Sequence, residues 1–235
     1  MRTGWVAAWM IAVLWAPART AAQAGPEEER LEYSVNYPSG LPLGTASLES
    51  RAASLPDGRA GREFVFRLQA AAPGFEAEDR YRSLATAEYC SLEFEKDARH
   101  GKKIIRERMT FDPQAGTAVR QNLTGGAPAK LETASCAKDA LTYLQHFRRE
   151  MAAGRVPPPA TIYFGAAYQV RLAYAGRQRV RVGEESLEAE RVQVSVKGPA
   201  SEHTFQVFLA LEPERRPVLF QVSLPQGLFL MELTE

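Results

Sequence analysis

Apolar and polar residues alternate with a period of two along most of the chain, in short runs separated by turn residues. Leu31, Tyr33, Val35 and Tyr37 alternate with Glu32, Ser34 and Asn36, the pattern of a strand with one buried and one wet face. A run through Ala46 and Leu48 follows the Pro38–Gly44 turn, and the pattern returns at Phe64, Phe66, Leu68 and Ala70 after Pro56-Asp57-Gly58. A weaker, charged strand spans Phe75 to Leu84 and carries Tyr81. Cys90, Leu92 and Phe94 share the next face, then Ile105, Met109 and Phe111, then Val119 and Leu123. Asp97–Gly101 and Asp112–Gly116 read as the reversals between them. The longest runs come last. Ile162, Phe164, Tyr168, Val170, Leu172 and Tyr174 hold one parity, and Gly165 marks a bend. Gly176, Gly183, Gly198-Pro199, Glu212–Arg216 and Pro225-Gln226-Gly227 then punctuate five further apolar runs, ending in Phe229, Met231 and Leu233.

Connections this short require antiparallel neighbours, because parallel strands need long crossovers. One apolar parity per strand implies one buried face per sheet. A dozen or more strands in a flat open sheet would leave long adhesive edges. The pattern therefore predicts a mainly β fold, a large antiparallel sheet rolled into a barrel-like or two-layer structure.

A single amphipathic helix interrupts the strands, within Cys136–Met151 and spanning about 139–153. Asp139 can cap its first turn by accepting an unpartnered backbone N–H. Ala140, Leu144, Phe147 and Met151 form one apolar stripe. Arg148 and Arg149 suit the negative end of the helix dipole, and Gly154 with Pro157–Pro159 ends the helix. The expected arrangement is a helical plug against a curved sheet.

Residues 1–24 have the form of a cleavable signal: Arg2, an apolar run from Trp5 to Ala16, and Ala22-Gln23-Ala24 before a cut between Ala24 and Gly25. The apolar run is about 12 residues, short of the roughly 20 that span a bilayer. The expected product is one exported β-rich domain, 25–235, in the periplasm or cell envelope, soluble and without a transmembrane anchor after cleavage. Cleavage removes Arg2 and Arg19 and no acid, taking the formal charge from +1 to −1. That balance gives no electrostatic basis for binding nucleic acid. The three tryptophans, at positions 5, 9 and 15, also leave. In an exported chain the two cysteines, Cys90 and Cys136, are expected to form a disulfide.

Several short motifs, taken in order, resemble a known family. They are Leu31-Glu32-Tyr33-Ser34-Val35, Phe111-Asp112 after a basic strand, and Asp139-Ala140-Leu141 leading to Phe147-Arg148 and Gly154. Phe164-Gly165-Ala166-Ala167-Tyr168-Gln169-Val170 and Arg216-Pro217-Val218 complete the set. The chain resembles the bacterial exported family called domain of unknown function 3108 over most of 29–234. The family tends to have an aspartate before the Arg-Pro-Val element, where this chain has Leu211-Glu212-Pro213. The resemblance implies an envelope protein with a rolled antiparallel sheet, and it transfers no catalytic residue.

The residues themselves give no convincing catalytic set, and no metal or cofactor is expected. His100, His146 and His203 are isolated from other ligands at zinc spacing. Ser135 or Ser223 with His146 and Asp139 would make a nominal triad, but no GxSxG elbow exposes a serine. The acid pairs Glu93/Glu95 and Glu188/Glu190 lie on outward parity and read as solvated. Two basic stripes, Lys102/Arg106/Arg108 and Arg177/Arg179/Arg181, could receive an anionic ligand or pair with acids on neighbouring strands, and near-neutral charge favours pairing. Among the inward aromatics, Phe64, Phe66, Tyr168 and Phe205 are candidates for lining a cavity rather than filling a core. The expected function is therefore non-enzymatic: an envelope protein binding a lipid-like or amphiphilic molecule, or a partner protein. The alternatives are a structural envelope component without a small ligand and, more remotely, an envelope hydrolase.

Overall fold

The structure is a computed structural model that describes residues 28–183, 185–224 and 227–234. The signal segment and its cut at Ala24–Gly25 lie outside the described residues, as do Pro225 and Gln226 of the last turn.

Turns every ten residues or so produce a meander. Strands β1 (Glu28–Asn36), β2 (Pro42–Ser54), β3 (Ala60–Ala72), β4 (Phe75–Thr86), β5 (Ser91–His100), β6 (Lys103–Asp112), β7 (Thr117–Asn122) and β8 (Ala129–Glu132) make one half. Strand β9 (Lys138–Asp139) leads into helix α1 (Ala140–Ala152). Strands β10 (Ala160–Tyr163), β11 (Ala167–Val182), β12 (Glu185–Lys197), β13 (Glu202–Ala210), β14 (Pro217–Leu224) and β15 (Gly227–Leu233) make the other half. Antiparallel pairing of β1 with β15, Val35 opposite Met231, joins the halves into one 15-stranded sheet with β8 and β9 at its edges. The pair β9–β10, which flanks the helix, is parallel.

The sheet rolls until its ends overlap, but it does not close. Right-handed twist supplies the curl, and contacts between the ends hold it. Tyr163 Oη donates to the Glu132 carbonyl at 2.9 Å, and the Tyr163 ring lies 5.9 Å from Phe111. Phe164 meets Tyr81 edge-on at 5.0 Å and Phe94 at 5.3 Å. The Cys90–Cys136 disulfide, with Cα atoms 4.7 Å apart, ties the start of β5 to the loop before β9.

Helix α1 lies across the concave face. Asp139 Oδ1 accepts from the Leu141 and Thr142 N–H groups at 2.8 and 3.1 Å. Its other oxygen accepts from the Ser83 and Ser91 hydroxyls. Burial pushes the Asp139 carboxyl up and these four bonds pull it back. Gly154, at φ +73°, closes the helix through its N–H to the Met151 carbonyl.

The expected stripe is part of a wider buried surface. Phe147 and Met151 are buried with Tyr143 against β10–β13, including Ile162, Val170, Val192 and Leu209. Ala140 and Leu144 are only half-buried, while Leu141, Thr142 and Arg148 are buried. A helix enclosed by a rolled sheet is covered on more than one face, so a single stripe understates its burial. Arg148 is not a solvated dipole partner: it makes a bidentate ion pair with Glu29 at 2.6 and 2.7 Å.

Two expected turns are continuous strand. Asp97 to His100 stay in β5 because Asp97 pairs with Arg106 and the reversal falls at Gly101. Gly176, at φ +96°, makes a bulge inside β11, after which pairing resumes at Arg177–Glu190.

Charged pairs cover the outer face. Glu63 is buried there beneath Arg51 and Arg82, and Arg82 also donates to Glu93 at 2.9 Å. Burial opposes ionisation of Glu63, but the two arginines outweigh it and hold the carboxyl below the usual glutamate range. Its stabilising contribution is complete above the unfolded-state value and disappears as pH falls through the lower folded one. Denaturant melts between neutral and strongly acid pH should therefore show a shallower acid loss for Glu63→Gln than for the parent. Identical slopes would mean that Glu63 carries none of the pH dependence.

Candidate functional site

Small residues create space under the helix. Ala70, Ala71 and Ala72 at the end of β3, Ala77 on β4 and Ala140 on α1 leave a gap that no neighbouring side chain fills. Leu48, Phe66 and Leu68 form one wall, Phe205, Phe220 and Met231 another, and Leu141 and Leu144 the roof. The resulting cavity has a volume of about 480 Å³, within the size range of small-molecule sites. Its lining is almost wholly apolar. An apolar occupant would remove this greasy lining from water, which is favourable in proportion to the apolar area covered.

One corner is polar. Asp79, 7 % exposed, points into the roll from β4. Its Oδ2 accepts from Tyr81 Oη at 2.7 Å, and its Oδ1 lies 2.9 Å from His100 Nε2. Burial, reinforced by the Asp79 carboxylate, pushes the Tyr81 phenol up, so Tyr81 remains a donor. Lys96 stands beside this corner with its Nζ 4.2 Å from the centre of the Phe164 ring. Burial pushes the Lys96 ammonium down, against the opposing pull of Glu107 and Asp79. The site thus has a long greasy body and a hydrogen-bonding end close to the β3–β4 and β5–β6 turns.

A second, smaller space of about 290 Å³ lies on the other side of the helix start, between α1, β9 and β10. Lys138, Tyr143, His146, Thr161 and Tyr163 line it with Cys136 of the disulfide. Burial and the charge of Lys138 push the His146 imidazole down.

A family profile described as protein of unknown function (DUF3108) matches residues 32–234, nearly the whole chain. The chain belongs to that family. No curated protein matches it. Among solved structures, a beta-barrel-like protein of domain of unknown function DUF1849 from Brucella abortus superposes with a TM-score of 0.66 at 11% identity, covering 92% of this chain and 98% of that one. At that identity the likeness concerns the fold.

The DUF3108 chain distributes the residues expected to form a site unevenly. Phe66 and Phe205 line the cavity. Phe64 and Tyr168 do not, which corrects that expectation. Phe64 is fully buried and packs edge-on against Tyr89 at 5.9 Å, in the core beyond the gap. Tyr168 belongs with Val170 and Phe205 in the apolar cluster under Tyr143, Phe147 and Met151. Arg177 lies 3.6 Å from Glu190 and Arg179 3.8 Å from Glu188, while Arg181 donates to the Gly183 carbonyl. Arg106 and Arg108 likewise meet Asp97 and Glu95 at 3.2 and 2.6 Å.

The histidines are dispersed too. His100 joins the polar corner and His146 the smaller pocket, while His203 pairs across from Val196 on the exposed end of β13. Among the described residues, no group of three or more His, Cys, Asp or Glu is placed to hold a metal, and no helix is long and apolar enough to cross a membrane. The Asp79–Tyr81–His100 corner escaped sequence reading. The available signal was parity, since Asp79 alternates in step with Ala77 and Tyr81 on the concave face of β4.

Proposed function

We propose that this DUF3108 protein is an exported, non-enzymatic envelope protein that holds an amphiphilic ligand between helix α1 and the rolled sheet. The observation that carries the reading is the apolar cavity of about 480 Å³ with polar groups confined to one corner. An acyl or similar hydrocarbon portion would occupy the space between Leu48, Phe66, Leu144 and Phe220. Its polar group would meet Asp79, Tyr81 and His100, whose part-buried hydrogen bonds fix orientation. A disulfide and a signal-like first segment support export. A hydrolase is supported less: the pocket at His146 has no serine or carboxylate among its described lining residues to complete a catalytic set. A scaffold is also supported less, because the edge strands β8 and β9 have four and two residues and offer little backbone for strand addition.

The test combines extraction with substitution. Solvent extraction of the purified protein followed by mass spectrometry should recover a lipid-like molecule. Leu144→Trp should reduce that recovery and weaken binding of the uncharged probe 1-N-phenylnaphthylamine by about tenfold, roughly 1.4 kcal/mol, because the indole occupies the gap. No native tryptophan lies beyond position 15, so the new residue also reports directly on its surroundings. An empty extract together with unchanged probe binding in Leu144→Trp would overturn the proposal.

A further inference from the structure

The smaller pocket beside α1 has a chemistry unlike that of the cavity. We infer that it is a second, independent binding site, for a small oxyanion: a carboxylate or phosphate group presented by a compact molecule. Tyr143 carries the first argument. The residue is 6 % exposed and lines this pocket, and its hydroxyl has no hydrogen-bond partner among the described residues. A buried phenol without a partner is costly, so such a group marks either a site or a fault in packing. A ligand oxygen would satisfy it.

The surrounding charge supplies the second, independent argument. Lys138 lines the pocket, and its ammonium donates to the Cys136 carbonyl at 3.4 Å and to Cys136 Sγ at 3.2 Å, with no carboxylate among its described partners. His146 lines the same space, and Arg149 follows it with a guanidinium nitrogen 3.5 Å from His146 Nδ1. No aspartate or glutamate stands among the described lining residues. The nearby acid on the helix, Glu150, is engaged by Arg155 at 2.8 Å. Burial pushes Lys138 toward its neutral form and Arg149 adds to the effect; Lys138 and Arg149 act in the same direction on His146. Cationic and hydroxyl donors gathered with no carboxylate in the described lining are what an oxyanion relieves, by charge-assisted hydrogen bonds in a partly desolvated site.

Size and shape complete the case. About 290 Å³ exceeds the needs of a water cluster but would not admit a long acyl chain in addition to a head group. Pro158, Ala160 and Ala134 give the pocket small apolar walls, suited to the body of a small organic acid or phosphomonoester. The main cavity, by contrast, has an almost wholly apolar lining, and the carboxylate at its corner, Asp79, is already engaged by Tyr81 and His100.

The experiment is an amide NMR titration of the intact protein with sodium benzoate and, separately, with inorganic phosphate, each against sodium chloride at equal ionic strength. Either anion should shift amides within 134–146 and 158–163 saturably. Benzoate shifts alone assign a carboxylate site, and phosphate shifts alone a phosphate site. Lys138→Gln should weaken the apparent affinity at least tenfold, and Tyr143→Phe, which removes the unpartnered hydroxyl, several-fold. Absence of shifts beyond those caused by chloride, or shifts equally strong in both variants, would overturn the inference.

Discussion

Replacing Arg148 with methionine is expected to destabilise the protein by about 3 kcal/mol and lower its melting temperature by about 10 °C. The guanidinium is buried inside the roll, where it pairs with both oxygens of Glu29 and donates to the Glu214 and Arg215 carbonyls at 3.1 Å. Methionine keeps much of the hydrocarbon volume but leaves Glu29 and two carbonyls with nothing to replace the lost donors. The expected loss is therefore mostly the desolvation penalty of those orphaned acceptors rather than the intrinsic strength of the pair. The double variant Glu29→Gln/Arg148→Met separates these contributions, since neutralising Glu29 should restore part of the stability. A single variant within about 0.5 kcal/mol of the parent in urea melts would show that the carbonyls and Glu29 find water instead.

Opening the Cys90–Cys136 disulfide should have an effect of similar size. It closes a loop of 46 residues, for which the chain-entropy account gives about 4 kcal/mol. For a domain of this length that corresponds to a fall of about 10 °C in melting temperature. A local consequence should accompany the global one. Cys136 lies three residues before Asp139, and the Ala137 carbonyl accepts from the Ser91 N–H at 2.9 Å. Reduction thus frees the segment that seats the helix N-terminus on β5. Calorimetry with and without reductant, together with Cys90→Ala/Cys136→Ala, gives the measurement. A shift of under about 2 °C in both would show that the surrounding hydrogen bonds hold the segment unaided.

Much of this architecture is legible in the sequence, and the exceptions share a cause. Alternation at Leu31–Tyr37, Phe64–Ala70 and Phe205–Leu211 marks strands because one face of each lies against apolar neighbours. Asp139 is legible as a cap because its position before an apolar stripe has few other uses. Asp97–His100 misled because small and charged residues resemble a turn when their partners are unknown; Arg106 supplies the missing half of that pattern. Gly176 misled for the same reason, since a bulge and a reversal both call for positive φ. The cavity is the deepest case. Inward aromatics can be named from parity, yet Phe66 borders a gap and Phe64 does not, a difference set by alanines farther along β3 and on β4 and by Leu144 across the roll. Absence of packing is a relation between distant residues, and a period of two along one strand carries no record of it.

The first and last strands lie side by side in the middle of the sheet, where Asn36 reaches Glu232 across 196 positions. The seam between the halves can therefore be stitched only once β15 is present. Until then the early half presents β1 as a raw flank, with half of its backbone groups unpaired. Chains with such distant closing contacts fold slowly and are vulnerable to aggregation meanwhile. Loss of β15 would accordingly not trim the sheet; it would divide it down the centre.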